Sequence, residues 1–341
     1  MPPGSTTAHR IEELARAEPE RLGLRREQSL APADIRVRSL GQGESYAAWL
    51  LEAAGSAPLV VRIARRPVSE LPRPMAEEFA ALALIPDRVG PPAVLLDASE
   101  DNPLASPYMV TGYVPGRERA LAEWDDDLLA AHARQMAALH EQVFDRCGDI
   151  TAPVERRSPA LSLSDLFASS LAWWQRSHPE VVAHPAVSRL LPRVEAFVAA
   201  AAPSFHRLDR FALIHGDLVV PNILVDDAGT PRYVDWEWAE IGDPARDLAY
   251  IGGHVWAPPW YLPLDRARIR RFVDSYVRAV TRAHDDTVET LELRRGTWEV
   301  FERFFTSLHF RTRQGSPEDV QSGRYSSAVA QLTAGLDSRL D

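Results

Sequence analysis

The sequence contains no lysine. All 38 of its basic residues are arginines, set against 48 aspartates and glutamates, for a net charge of −10 over 341 residues. A site that ordinarily employs a lysine must therefore use arginine here or do without. The acidic balance argues against nucleic acid as a partner and admits a cationic or neutral one. Cysteine is almost as scarce. Cys147 stands alone, so no internal disulfide can form, and a reducing cytoplasm is the expectation. Nothing beside it in sequence would activate its thiol as a nucleophile. No run of about 18 apolar residues occurs, so no membrane-spanning helix is expected. The start of the chain lacks the continuous apolar stretch of a secretory signal. Internal repeats and low-complexity tracts are also missing.

What is present is a chain 45% hydrophobic, too long for one small core and suited to two lobes. Residues 1–30 alternate charged and apolar groups and read as a helix. From 35 to 65 the pattern turns strand-like. IRVRSL alternates, GQGES breaks, YAAWLLEAA resumes, GSAP turns and LVVRIA follows, which predicts a three-strand meander with a glycine loop between its first two strands. MAEEFAALALI (75–85) has helical spacing, and VLLDA (94–98) and YMVTGYV (108–114) again read as strands, before Pro115-Gly116 interrupts. Beyond that point the chain is mostly helical. Residues 128–144, LSDLFASSLAWWQRS, VSRLLPRVEAFVAAAA, IRRFVDSYVRAVTRAH and 289–310 carry apolar residues three and four apart. Strand-like FALIHGD (211–217), ILVDD (223–227) and RYVDW (232–236) lie between them. One residue is out of pattern. Arg62 sits within the apolar run LVVRIA, where an unpaired guanidinium is costly to bury, so it requires an anionic partner.

The densest chemistry lies in LIHGDLVVPNILVDDAGTPRYVDWEWAEIGDPARDLAY (213–250). Asp217 and Asn222 bracket one short loop after a strand. Asp235 ends another strand, and a hairpin through 227–230 would return it beside Asn222. Hard oxygen ligands of this kind suit Mg²⁺, which takes one or two protein carboxylates and completes its shell with phosphate and water. Asp217 is then free to accept a proton from a hydroxyl. Base, metal-binding amide and second metal-binding aspartate form the pattern of phosphoryl transfer. The plainer alternative is turn-forming Asp and Asn at strand ends.

These residues resemble the aminoglycoside phosphotransferase-like kinases, a group that also takes in choline kinase-like enzymes. The catalytic-loop pattern H-G-D-x-x-x-x-N is met by His215-Gly216-Asp217 through Asn222. The metal-loop pattern is met by Val234-Asp235-Trp236-Glu237, followed by Gly242-Asp243-Pro244-Ala245-Arg246-Asp247. The resemblance covers roughly 35–310. It implies an α+β, bilobal, protein-kinase-like fold with a small β-rich N-lobe (1–111), a hinge (112–116) and a larger, mostly helical C-lobe (117–341). It implies Mg²⁺- and ATP- or GTP-dependent phosphorylation of a small-molecule hydroxyl. Carried over, Asp217 is the catalytic base, Asn222 and Asp235 hold the metal, His215 braces the loop, and Asp247 caps it from the following helix. The pair Leu139-His140 is read as packing. Gly41, Gly43, Glu44 and Ser45 form the loop over the nucleotide phosphates, and backbone groups of Gly112, Tyr113 and Val114 hold the base. A kinase of this shape needs a cation on its third strand paired with a helix glutamate. That cation is Arg62. Its partner is Glu78 or Glu77, with Glu78 favoured because Leu82 and Ile85 share its side of the helix. Arginine departs from the family's usual lysine, and RIARR is similar to the macrolide branch. Arg65 and Arg66 read as solvated strand-end charges.

For the acceptor, Glu237 and Glu240 place acids near the metal residues, as would suit a polycation. Trp256, Trp260 and Tyr261 place aromatic rings on a proline-broken loop, where they would either stack on a sugar or heterocycle or pack between helices. Three functions follow. The first is an antibiotic O-phosphotransferase acting on an aminoglycoside, macrolide or nucleoside drug. The second is a metabolic kinase for choline, homoserine or a sugar. The third is a nucleotide-binding module without turnover, against which the complete Asp217, Asn222 and Asp235 set argues.

Overall fold

The computed structural model describes residues 3–25, 34–206, 208–281 and 286–341. The chain divides into two compact units, Met1–Pro115 with Arg232–Ala239, and Gly116–Pro231 with Glu240–Asp341. The segment Arg232–Ala239, which the sequence places with the helical part, thus groups with the first unit.

In the first unit, β1 (Ile35–Gln42), β2 (Tyr46–Ala53), β3 (Leu59–Ala64), β4 (Ala93–Asp97) and β5 (Tyr108–Gly112) form one antiparallel sheet in the order β1-β2-β3-β5-β4. The apolar, β-branched LVVRIA therefore fills the central position. Arg62 lies between Ala48 of β2 and Met109 of β5. The first helix, α1 (Pro3–Ala17), packs Ile11, Leu14 and Ala15 into a core with Trp49, Leu51, Val61 and Tyr108. It ends well short of the expected residue 30. Pro19 cannot continue it, and a 3₁₀ turn over Pro19–Leu22 closes on Gly23, whose φ of 75° favours glycine. Residues 26–30 lie outside the described residues. Helix α2 (Met75–Leu84) stops at Leu84. Ile85 is extended because Pro86 follows it.

The second unit is mostly helical. It contains α3 (Asp126–Leu139), α4 (Leu163–Ser177), α5 (Pro179–Val182), α6 (Pro185–Ala201), α7 (Pro244–Tyr250), α8 (Arg266–Ala279), α9 (Val288–Arg313), α10 (Pro317–Ser322) and α11 (Arg324–Leu340). Short strands position the loops: β6 (Arg117–Glu118), β7 (Val143–Phe144), β8 (Phe211–Ile214), β9 (Ile223–Val225) and β11 (Glu240–Gly242), with β10 (Pro231–Tyr233) leading out of the unit. Strand β8 is flanked by β7 and β11, and β9 pairs with β6. The helix expected over 128–144 begins earlier, where Asp125 accepts the Leu128 N–H, and ends at Leu139. Val143 and Phe144 instead join β8. No helix among the described residues is long and apolar enough to cross a membrane.

His132 is fully buried on α3, stacked on Phe272 of α8 and edge-on to Trp124. Burial pushes its pKa down to about 3, against the pull of Asp247 and with the push of His140 and His215. An unfolded histidine titrates near about 6.5. Between those values the unfolded chain binds a proton that the folded chain refuses, so stability falls as pH falls through that window. The slope is at most about 1.4 kcal/mol per pH unit. His132→Phe removes the titration. Urea unfolding from pH 7 to 4 should show the stability difference between variant and parent moving steadily in the variant's favour with acid. A difference independent of pH would mean that the folded state accepts the proton.

Candidate active site

The turn after β8 begins the site in the second unit. Gly216 adopts φ 77°, a conformation that reverses the chain sharply between His215 and Asp217. The Asp247 carboxylate, on the first turns of α7, accepts the N–H groups of His215 at 2.7 Å and Gly216 at 2.9 Å. It also accepts His140 Nε2 at 3.2 Å. With that proton on Nε2, His140 Nδ1 accepts the Tyr276 hydroxyl at 3.0 Å. Burial pushes the Asp247 pKa up, but the His140 hydrogen bond and the backbone amides outweigh it and hold the carboxyl below its ordinary value. His140 therefore does more than pack: it orients the aspartate that fixes the turn.

The Asp217 N–H points at His215 Nδ1, 3.3 Å away. Asn222 Nδ2 donates both to the Asp217 carbonyl at 2.8 Å and to Asp217 Oδ2 at 3.0 Å. The asparagine thus orients the carboxylate and leaves its own amide oxygen outside these bonds.

The first unit holds the other half of the predicted set. Arg62 pairs through Nη1 with Glu78 Oε1 and through Nη2 with Asp235 Oδ1 at 2.8 Å. Its guanidinium also lies 4.6 Å from the centre of the Tyr46 ring. Glu78 is 1% exposed and Asp235 45%. Burial pushes the Glu78 carboxyl up, against the pull of Arg62. The helix glutamate that meets Arg62 is thus Glu78; Glu77 is buried beside it. Asp235 lies two residues past the end of β10, not at a strand end, and holds φ 67°. A non-glycine residue in that region is strained and is held there by its surroundings. Burial with Asp235 nearby pushes Glu237 up to about 7, against a hydrogen bond from Ser45.

Strands β1 and β2 run so far that the glycine loop is reduced to Gly43–Ser45 at its tip. Gly41 lies at a register shift in β1 with φ 143°. Arg65 donates to the Gly43 carbonyl, and Arg66 donates to the Glu44 carbonyl at 3.0 Å. These arginines, read from sequence as solvated, hold the loop. At the end of β5, the Gly112 and Tyr113 amides already donate to the carbonyls of Pro92 and Pro58, at 2.9 and 3.0 Å. Cys147 is buried, with its thiol pushed up to about 11 by burial. Burial thus disfavours the reactive thiolate. Among the described residues no group of three or more His, Cys, Asp or Glu side chains stands ready for a metal.

The phosphotransferase enzyme family matches this chain over residues 36–296. The chain belongs to that family. Solved structures share the fold of this phosphotransferase at low sequence identity. A choline kinase from Cryptosporidium parvum is 13% identical with a TM-score of 0.61, covering 97% of this chain and 96% of that one. A macrolide 2′-phosphotransferase from Brachybacterium faecium is 18% identical with a TM-score of 0.55, covering 94% and 97%. A thermostable aminoglycoside phosphotransferase, solved with AMP-PNP and hygromycin B, is 15% identical with a TM-score of 0.59, covering 90% and 94%. Among curated proteins, the mouse acyl-CoA dehydrogenase family member 10 is 23% identical over 218 residues, 62% of this chain. The match spans only 19% of that relative's length. Family and fold together make the protein a phosphotransferase-family chain with the fold of these enzymes.

The residues expected to meet the phosphotransferase's acceptor are placed unequally. Glu240 is tied to Arg246 at 2.6 Å, and Arg246 in turn to Glu302 at 2.7 Å. The Trp260 ring packs 4.3 Å from that of Phe310 and 5.7 Å from that of Tyr325. Tyr261 is buried, with its hydroxyl on Thr306. Of the three aromatics Trp256 is the most open to solvent, 39% exposed, while Trp260 is half-buried.

Proposed function

We propose that this phosphotransferase moves the γ-phosphoryl group of a magnesium-bound ATP or GTP to a hydroxyl of a small molecule. Asp217 accepts the hydroxyl proton as general base. The observation that carries this reading is the Asn222 amide, which holds Asp217 Oδ2 at 3.0 Å while its own oxygen stays outside these bonds. Mg²⁺ asks few ligands of a protein. The Asn222 oxygen and the half-exposed Asp235 carboxylate fit that demand, and the ion would neutralise charge on the phosphates. Arg62, steadied by Glu78, is the phosphate-side cation, and a planar fork suits phosphate oxygens. Gly41, Gly43, Glu44 and Ser45 cover the phosphates, held by Arg65 and Arg66. Residues 112–116 act as hinge between lobes 1–111 and 117–341. With Gly112 and Tyr113 N–H bonded within the chain, the Val114 amide is the one we assign to the base.

The acceptor we favour is an antibiotic of neutral or weakly charged type, a macrolide or nucleoside, with its inactivation as the outcome. Glu240 pairs with Arg246, which also pairs with Glu302, and burial beside Asp235 pushes Glu237 up to about 7, so neither acid stands as a free charge for a polycation. Trp256 is the ring most open for stacking. A second reading, a metabolic kinase for choline, homoserine or a sugar, is favoured by the fold shared with a choline kinase. Turnover of ATP and GTP against a panel of macrolides, nucleoside antibiotics, aminoglycosides, choline, homoserine and sugars decides. The expected result is the highest kcat/KM with a macrolide or nucleoside. Turnover with metabolites alone installs the second reading. Nucleotide binding without any turnover installs a binding module.

A further inference from the structure

Next to the aromatic segment lies a set of buried charges that the transfer chemistry does not use. Helix α9 carries Arg295, Glu299 and Arg303 at successive turns, all buried. Arg295 donates to the carbonyls of Leu248 and Gly252 and pairs with Glu299 at 2.9 Å. The other Glu299 oxygen accepts the Val255 N–H at 2.6 Å. Arg303 has no carboxylate partner among the described residues. It donates to the carbonyls of Val255 at 3.2 Å and Ala249 at 2.7 Å, and its guanidinium lies 3.4 Å from the centre of the Tyr261 ring. A buried guanidinium that meets only neutral partners carries its desolvation uncompensated by an ion pair, and a methionine would fill similar volume without that cost.

What this arrangement secures is the path of residues 249–262. The backbone is pressed so closely to α9 that a Cβ on Gly253 would collide with the Glu299 carboxylate. The segment then returns to the catalytic loop, where the Trp260 carbonyl accepts the Val220 N–H at 3.0 Å. Val220 stands between Asp217 and Asn222. The start of the same loop is held by Asp247 on α7, and Arg303 holds the carbonyls at the other end of that helix, Ala249 and Tyr250.

We infer that Arg303 is a positioning residue for phosphoryl transfer. Through the carbonyls of α7 and the ring of Tyr261 it sets where Trp260 meets Val220, and so where Asp217 and Asn222 stand. The inference rests on the reading of those two as base and metal ligand.

Arg303→Met and Arg303→Lys test it with two measurements on the full chain. The first is amide hydrogen exchange of the catalytic-loop peptide spanning 217–222 without nucleotide. The second is hydrolysis of MgATP and MgGTP, with water as acceptor. In Arg303→Met the Val220 amide should exchange faster by about tenfold or more, with α11 as protected as in the parent. The kcat should fall on the order of 10²-fold at nearly unchanged nucleotide KM, because small misplacements of reacting groups weigh that much. Arg303→Lys, a point charge able to reach fewer carbonyls at once, should recover part of both. Val220 exchange at the parent rate in both variants overturns the inference. So does a loss of protection in α11 equal to that in the loop, which would mark a general stability role. If the parent hydrolyses neither nucleotide and phosphorylates nothing in the acceptor panel, the functional reading fails. Val220 exchange then decides alone whether Arg303 holds the loop.

Discussion

Asp217→Ala is expected to lower phosphoryl transfer by about 10²–10⁴-fold, the usual contribution of a general base, while nucleotide affinity stays close to that of the parent. The separation of the two effects follows from the assignment of roles. The groups assigned to the nucleotide, from the glycine loop, Arg62 and Val114, all belong to the first unit. Asp217 belongs to the second and offers its carboxylate to the acceptor. Asp217→Asn sharpens the test. It preserves the side-chain shape that Asn222 holds and removes only the basicity, so its loss should match that of the alanine variant. Single-turnover rates with the acceptor found in the panel, alongside calorimetric titration of nucleotide, supply both numbers. Transfer within about tenfold of the parent in either variant would remove Asp217 from the role of base.

Arg62→Met should be the most damaging change in the first unit. It strands Glu78, 1% exposed, as a buried carboxylate with its main counter-charge gone. Breaking a buried pair from one side destabilises by about 3–5 kcal/mol. The bond to Asp235 contributes less, since that carboxylate is half open to solvent. Arg62→Met with Glu78→Gln should recover much of the stability, because the unpaired charge is gone, and should recover none of the nucleotide binding, because the cation is still missing. Arg62→Lys falls between. An ammonium keeps the charge but lacks the fork that reaches Glu78 and Asp235 at once. Urea unfolding gives the stabilities. An Arg62→Met protein as stable as its parent would show that Glu78 carries a proton in the folded state and that the pair contributes nothing.

Arg62 was legible from sequence because two signals with short range converge on it. A charge inside a β-branched run needs a partner, and a helix period places Glu78, Leu82 and Ile85 together. The closeness of Asp217 and Asn222 was legible for a similar reason, five residues of separation on one loop. What the sequence hid depends on backbone acceptors and on distant partners. Arg65 and Arg66 hold carbonyls of Gly43 and Glu44, and a carbonyl belongs to every residue alike, so nothing in the string marks it. His140 meets Asp247 more than a hundred residues away, and a histidine at a helix end looks the same whether it fills space or orients a carboxylate. Trp260 and Tyr261 sit on a proline-broken loop that would suit ligand stacking equally well. Only the α9 and α11 residues packed around Trp260 distinguish the two cases. The strand-like run RYVDW places Asp235 at a strand end, whereas β10 stops at Tyr233. The left-handed turn Asp235 adopts is imposed by tertiary contacts.

The guanidinium at position 62 also governs how the protein can be found. Reagents that mark kinases by acylating a side-chain amine beside the bound phosphates depend on an unprotonated nitrogen nucleophile. A guanidinium stays protonated and cannot be deprotonated within a protein, and the sequence offers no lysine elsewhere. A proteome-wide search with such probes would pass this protein by, however tightly it held its nucleotide. A dicarbonyl reagent, which condenses with guanidinium groups, is the matching label, and bound nucleotide should shield Arg62 from it.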